Sequence, residues 1–203
     1  KAIDELITAK RPVIYSGGGV VQGNAAVLLT ALAHLLGYPV TNTLMGLGAF
    51  PGEDPQFLGM LGMHGTYEAN MSMHHADVIL CVGARFDDRV TNSPAKFCPD
   101  ARIIHIDIDP AAISKTVTAH IPIVGAVEPV LVDMLAQLKE LNVNKPNPEQ
   151  IGQWWTQIKQ WRAHHGLRYE PANGGEMKPQ QVVEALYKIT NGQAIITSDV
   201  GQH

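Results

Sequence analysis

Residues 12–21 read PVIYSGGGVV: a short apolar run, 12–15, leads straight into Gly17, Gly18 and Gly19. Beyond the glycines, Ala25, Leu28, Leu29, Leu32, Leu35 and Leu36 recur at three- and four-residue spacing until Gly37. That is the period of one helical face followed by a glycine stop. Strand, glycine turn and helix open a βαβ unit. Apolar runs at 38–41, 77–82, 102–106 and 121–124 predict four more strands. Their continuous apolar character suits strands buried on both faces, which favours parallel pairing with helical crossovers. The expected fold is α/β: a Rossmann-like open parallel sheet with helices on both faces.

The flanking sequence completes the plan. KAIDELITAK at the start is an amphipathic helix end with Ile3, Leu6 and Ile7 on one face, and it lacks the apolar core of a signal peptide. Residues 127–141 form a second clear amphipathic helix, with Val130, Leu131, Met134, Leu135, Leu138 and Leu141 on its face. A polar segment, 142–148, reads as a linker. A helix then starts with Asn147 as N-cap, Pro148 at its first position and Gln150 in a capping-box-like place. Its Trp154, Trp155, Ile158 and Trp161 read as a packing stripe, on this domain or on other neighbours, rather than as an aromatic ligand box. Coil over 167–178 leads to a helix from Pro179 carrying Val182, Val183, Leu186 and Ile189, and AIITSDVGQH reads as a strand ending in a turn. We therefore expect a main domain over 1–141, a linker with the Trp-bearing helix over 142–180, and the start of a further domain over 181–203. Residues beyond about Leu141 are expected to pack less well than the sheet, and both ends read as cut from a longer chain.

Composition narrows the function. Hydrophobic residues are 45% and charged residues 17% of the 203, within the ordinary globular range. The formal net charge is -4 and no Lys/Arg run stands out, which gives no footprint for nucleic acid or an anionic membrane and favours a small-molecule partner. Cys81 and Cys98 have no paired spacing and read as buried, reduced thiols of a reducing, cytoplasmic setting.

Ligands of open parallel sheets bind outside the carboxyl ends of the strands. After the first strand, SGGGVV offers close backbone approach and a helix N-terminus, though a tight structural turn fits it equally well. Residues 42–64 show little regular structure and are rich in Gly and Met, which suits contact with a flat apolar ring system; an ordinary loop is the alternative. After the third strand, GARFDDRVT sets Arg85 and Arg89 where they could grip a diphosphate or carboxylate, with Asp87 and Asp88 to orient them. The bland account is a solvated charged turn. After the fourth, HIDIDP puts Asp107 and Asp109 on one side of the chain, suited to ribose hydroxyls, with helix capping by Asp109 before Pro110 an equally good account. His74 and His75 fit no metal spacing, and no nucleophile motif is present. The residues alone describe a nucleotide-type cofactor domain without a visible catalytic acid or base.

The segments SGGGVV, NTLMGLGAFP, LGMLGMHGTYEAN, GARFDDRVT, IIHIDIDP and SDVGQH, in this order and spacing, resemble the acetohydroxyacid (acetolactate) synthase large-subunit family across essentially the whole chain. The overall text looks most like the bacterial isozyme III form. The resemblance implies the central domain of a thiamine-diphosphate-dependent transferase. Such an enzyme condenses pyruvate with pyruvate or 2-oxobutyrate, after decarboxylation, in branched-chain amino-acid biosynthesis. It implies FAD across this domain, without a net redox task, and thiamine diphosphate with Mg²⁺ in the intact enzyme. The implied partners are the remaining domains of the parent chain, a homodimer partner, a regulatory small subunit and 2-oxo acid substrates. By motif, Gly17, Gly18, Gly19, Thr43, Leu44, Met45, Leu61, Gly62, Met63, His64 and Gly65 would contact FAD. Gly83, Ala84, Arg85, Asp87 and Val90 would follow its ribityl and diphosphate region, and Asp107, Ile108, Gly125 and Ala126 its adenosine end.

Arg89 would grip the carboxylate of the second 2-oxo acid, with Met63 in the same cavity. Val200, Gly201, Gln202 and His203 would touch thiamine diphosphate. One departure is Ala126, where family members commonly carry Asp after the Gly, which puts side-chain help from that position in doubt. The other readings are a different thiamine-diphosphate enzyme, such as pyruvate oxidase or glyoxylate carboligase, against which GARFDDRV argues, a stand-alone dinucleotide-binding module, and a purely structural domain that holds no ligand by itself.

The family's thiamine-activating glutamate and its metal-diphosphate motif match no segment of this chain. The 203-residue chain alone is therefore expected to form no acetolactate from pyruvate when thiamine diphosphate, Mg²⁺ and FAD are added. Turnover above a no-protein blank would contradict this.

Overall fold

A computed structural model describes residues 1–140, 146–167, 169–170 and 177–199. Among them, six strands form one parallel sheet: β1 (Pro12–Ser16), β2 (Val40–Asn42), β3 (Phe57–Met60), β4 (Val78–Val82), β5 (Arg102–Asp107) and β6 (Ile121–Val124). Their order is β3-β2-β1-β4-β5-β6, every neighbouring pair is parallel, and the order reverses between β1 and β4. Five strands lie where the apolar runs predict them. The sixth, β3, falls inside the stretch expected to be irregular. It is an edge strand of four residues, only partly buried, whose pairing with β2 contains an irregularity and whose Gly59 has φ +88. A short edge strand of this kind has no long apolar run to reveal it.

Strand residues alternate between two cores. On one face, Ile14, Val40, Leu80 and Ile104 meet Leu6 of α1 (Ala2–Thr8), Leu29 and Leu32 of α3 (Ala26–Leu36) and Leu131 of α6 (Val127–Glu140). On the other, Val13, Ile79, Cys81 and Ile103 meet Ala69 and Met73 of α4 (Tyr67–His75) and Trp154 and Ile158 of α7 (Pro148–His165). Local signals start and stop these helices. Gly37 ends α3 with φ +73, Thr66 caps α4 by accepting from the Ala69 amide, and Asn147 caps α7 by accepting from the Glu149 and Gln150 amides. α2 (Gly18–Gln22) and α5 (Asp88–Thr91) are single-turn elements. No helix among the described residues is long and apolar enough to cross a membrane.

The Trp-bearing helix corrects one expectation. The first compact unit runs from Lys1 to Gly166, so α7 is a layer of the sheet domain rather than part of a loosely packed linker region. Trp154 Nε1 donates to the Pro12 carbonyl at 3.0 Å and Trp155 Nε1 to the Gly37 carbonyl at 2.8 Å. Arg162 bonds the buried Glu68 carboxylate at 3.1 Å and the Phe57 carbonyl at 2.7 Å. An apolar stripe shows that a helix has something to cover, not which sheet face it covers. In the second unit, α8 (Pro179–Thr190) has no buried residue, in line with weaker packing there. The strand expected near the end is not formed over 194–199: these residues join no ladder and Ile195 is 97% exposed. Backbone that pairs with no neighbour has no strand hydrogen bonds.

If α7 is part of the core, truncating Ile158, which is fully buried, to alanine lowers stability by about 2–5 kcal/mol in urea unfolding. A change within the roughly 0.5 kcal/mol typical of surface positions would show that α7 only rests on the surface.

Candidate functional site

The carboxyl ends of β1 and β4 meet where the strand order reverses. The Gly17 amide donates to the Val82 carbonyl at 3.0 Å and the Gly19 amide to the Gly83 carbonyl at 3.0 Å. A Cβ on Gly17 would lie 2.4 Å from the Gly83 oxygen, and Gly83 itself has φ +56. The glycine cluster is therefore first a backbone crossing between two strand exits. Two of the three amides expected to face a ligand are bonded within the chain. Gly18 and Gly19 still line the opening beside it.

That opening is a cavity of about 630 Å³, within the range of small-molecule sites. It is lined by residues following five of the six strands: Gly18 and Gly19 after β1, Thr43, Leu44 and Met45 after β2, Gly83, Ala84, Arg85, Asp87, Arg89 and Val90 after β4, Asp107, Ile108 and Asp109 from the end of β5, and Ala126 after β6. Gly17 and Gly125 are not among the lining residues but adjoin them: Gly17 packs against Gly83 and Ala84, and the Gly125 amide donates to the Asp107 carbonyl at 2.9 Å. Thr43 Oγ1 accepts from the Gly46 amide at 2.9 Å and caps a 3₁₀ turn over Leu44–Gly46. That turn holds Leu44 and Met45 outward, 66% and 72% exposed, and Ile108 is 71% exposed across the cavity. Three large apolar side chains left in solvent around one cavity mark a contact surface.

The polar residues divide differently. Arg85 pairs with Asp87 at 3.0 Å, and both are largely exposed. Asp88 begins α5 and Arg89 follows it, also exposed. Asp107 Oδ1 accepts from the Asp109 amide and Asp109 Oδ1 from the Ala111 amide, each at 2.9 Å, so Asp109 caps the turn that follows, as its position before Pro110 allows. Leu61, Gly62, Met63, His64 and Gly65 do not line this cavity. They run beside it, with the Met63 amide donating to the Arg89 carbonyl at 3.2 Å. Leu61 lines a separate 240 Å³ hollow with Val90 and Thr91. Val200, Gly201, Gln202 and His203 lie outside the described residues. The lining also includes Tyr15, Gln22, Gly23, Ala112 and Val127, which the sequence reading missed. For Gln22 and Gly23 a signal existed, since they sit one helical turn after Gly18 and Gly19. A larger hollow of about 740 Å³, lined by Lys10, Arg11, His75 and α7, lies at the amino ends of the strands, away from the crossing.

The family model described as the thiamine pyrophosphate enzyme central domain matches residues 1–134. The chain belongs to that family. Over all 203 residues it is 54% identical to the acetolactate synthase isozyme 3 large subunit of Escherichia coli, covering 35% of that protein. It is 50% identical over the same span to the acetolactate synthase large subunit of Haemophilus influenzae, again 35% of that protein. To the acetolactate synthase of Mycobacterium leprae it is 44% identical over 195 residues, 96% of this chain and 31% of that one. The chain spans about a third of the length of these curated relatives.

In this thiamine pyrophosphate enzyme central domain, the layer beneath the cavity carries polar groups that are buried. Burial pushes the Tyr15 hydroxyl and the Cys81 and Cys98 thiols well above their ordinary ranges, so the thiols are protonated and inert. Burial lowers the His105 pKa, against smaller opposing effects of the Ala84 carbonyl and Asp107. The unfolded chain therefore binds this proton first as pH falls. The stability contribution of neutral His105 is complete above the unfolded value of about 6.5 and is lost as pH falls from there toward the folded value. Urea unfolding from about pH 7.5 to about pH 5.5 should show a smaller loss of stability for His105→Phe than for the parent sequence. Equal losses would contradict a buried neutral imidazole.

Proposed function

We propose that this chain is the FAD-binding central domain of an acetolactate synthase large subunit, whose intact parent condenses two 2-oxo acids with thiamine diphosphate and Mg²⁺. The observation that carries the reading is the ring of exposed Leu44, Met45 and Ile108 around a cavity that also presents Arg85 and Asp107. The residues present fit an extended dinucleotide: apolar side chains for flat rings, an arginine for a diphosphate and a carboxylate for sugar hydroxyls. Gly18, Gly19, Thr43, Leu44 and Met45 would hold FAD on one side, with Gly83, Ala84, Arg85, Asp87 and Val90 along its centre and Asp107, Ile108 and Ala126 at the other end. In the proposed reaction FAD undergoes no net oxidation or reduction, so these residues bind and orient rather than move electrons or protons. Gly17 and Gly125, which adjoin this lining, would contribute backbone to the same FAD site. Leu61, Gly62, Met63, His64 and Gly65 would complete the flavin end from beside Arg89.

Arg89 is assigned to the acceptor substrate, whose carboxylate matches the two-point geometry of a guanidinium. Met63, 66% exposed on the segment bonded to the Arg89 backbone, would line the same substrate space. Residues 181–203 would begin the thiamine-diphosphate-binding domain, with Val200, Gly201, Gln202 and His203 toward that cofactor. The other partners in this reading are the remaining domains of the parent chain, a second copy of it and a regulatory small subunit.

The direct test is the absorbance spectrum of the purified chain, followed by titration with FAD. Flavin that copurifies or binds saturably supports the reading, and an FAD affinity unaffected by Arg85→Gln overturns the assigned diphosphate contact. In the intact enzyme, Arg89→Lys keeps the charge but loses the planar fork. We expect acceptor use to fall by about 1.5–3 kcal/mol, roughly ten- to a hundredfold, with flavin content nearly unchanged. Flavin loss with unaltered acceptor preference would show that Arg89 holds the cofactor instead.

A further inference from the structure

Three adjacent strands bring one donor each to the same level of the same sheet face: Tyr15 of β1 pairs with Cys81 of β4, and Cys81 with His105 of β5. All three are fully buried. Their donors converge on one short piece of backbone. Tyr15 Oη donates to the Arg85 carbonyl at 3.1 Å, Cys81 Sγ to the Ala84 carbonyl at 3.1 Å, and His105 Nε2 to that same Ala84 carbonyl at 2.9 Å. A carbonyl only accepts, so His105 carries its proton on Nε2, and Nδ1 is left as a bare acceptor. That Nδ1 is buried with no hydrogen-bond partner. An apolar residue would avoid this unfavourable burial, so the gain from an imidazole here lies in its Nε2 contact.

The segment it holds alternates. Ala84 and Phe86 are buried while Arg85 between them is exposed. The Phe86 ring lies 5.4 Å from Tyr15 and 5.3 Å from His105, covering the row. With its two neighbours sunk, Arg85 is left to project toward the cavity, where it meets Asp87. We propose that Tyr15, Cys81 and His105 are positioning residues that fix the backbone of residues 84–86 and so aim Arg85 into the cavity. This deepens the proposed FAD-binding reading and rests on it only for the identity of the ligand.

The test uses the whole chain and its Tyr15→Phe, His105→Phe and His105→Gln variants. The first readout needs no ligand: hydrogen exchange at the Val90, Thr91 and Asn92 amides, which bond the Asp87 and Asp88 carbonyls just after the held segment. Both Phe variants should speed exchange there roughly tenfold while the interior of β4 and β5 stays protected, and His105→Gln, which can still donate, should restore protection. Unchanged exchange at 90–92 in both Phe variants, or equal loss of protection throughout the sheet, overturns the proposal. The second readout is FAD affinity in a double-mutant cycle with Arg85→Gln. His105→Phe should weaken FAD about tenfold when Arg85 is present and add nothing when it is absent, whereas additive losses would mean that His105 does not act through Arg85. If the parent chain binds no FAD at all, the cofactor assignment fails and the exchange data alone decide the positioning role.

Discussion

The structure depends on a backbone contact that permits no side chain at Gly17, Gly19 or Gly83. β1 and β4 are sheet neighbours although β2 and β3 intervene in sequence, so their exits must diverge from nearly the same point. They do so with Gly17 and Gly19 against Gly83 and Ala84, at separations where a Cβ on Gly19 would come within 2.8 Å of the Gly83 Cα. The amides and carbonyls brought together bond each other, which carries the pattern of the parallel ladder one step beyond the strands. Gly83 also donates to the Ile106 carbonyl, so β5 is tied into the same level. Because one exit turns into α2 and the other into the segment before α5, a gap opens between them, and that gap is the cavity.

Below the gap, period-two alternation decides what forms its floor. Along β4, Val78, Leu80 and Val82 belong to one core while Ile79 and Cys81 belong to the other. Tyr15, Cys81 and His105 therefore share the α4–α7 face, and their polar ends lie at the carboxyl edge, where backbone carbonyls are within reach. α7 shields the amino-terminal part of this face, with Trp154 bonded to the start of β1. The layer is buried, which strengthens the few hydrogen bonds in it and makes an unpaired atom such as His105 Nδ1 costly.

Legibility from sequence followed burial. The five strands read from apolar runs are the ones whose residues face two cores or close a core edge. β3 was missed because FLGM is short, contains a positive-φ glycine and buries mainly Leu58. The stripe on α7 was visible as apolar, but its sheet partner was not, since that contact joins residues more than a hundred positions apart. At the cavity, the rule that ligands gather beyond strand ends located the Leu44–Met45, Arg85–Arg89 and Asp107–Ile108 loops. It did not reveal that Gly17 and Gly19 bond within the chain, because a glycine run looks alike whether it faces a ligand or another backbone. His105 had a signal, a polar residue inside RIIHID, but its task depends on a carbonyl carried by a different strand exit.

The side chains at the cavity stand on ordered backbone, and their chemistry bears on what can be recognised there. Arg85 projects from a backbone fixed by three hydrogen bonds and a buried Phe86, so little backbone freedom remains to be lost when its exposed side chain meets an anion. Leu44, Met45 and Ile108 are held in the same way: their backbones are ordered by the Thr43 cap and the Asp107 turn, and their side chains stand in water. Each forgoes on the order of 1.5–3 kcal/mol of burial while uncovered, a gain available to whatever apolar surface covers it. A cation beside exposed apolar side chains favours a ligand that carries both an anionic group and apolar surface. Neither a compact anion nor a purely apolar molecule would engage both.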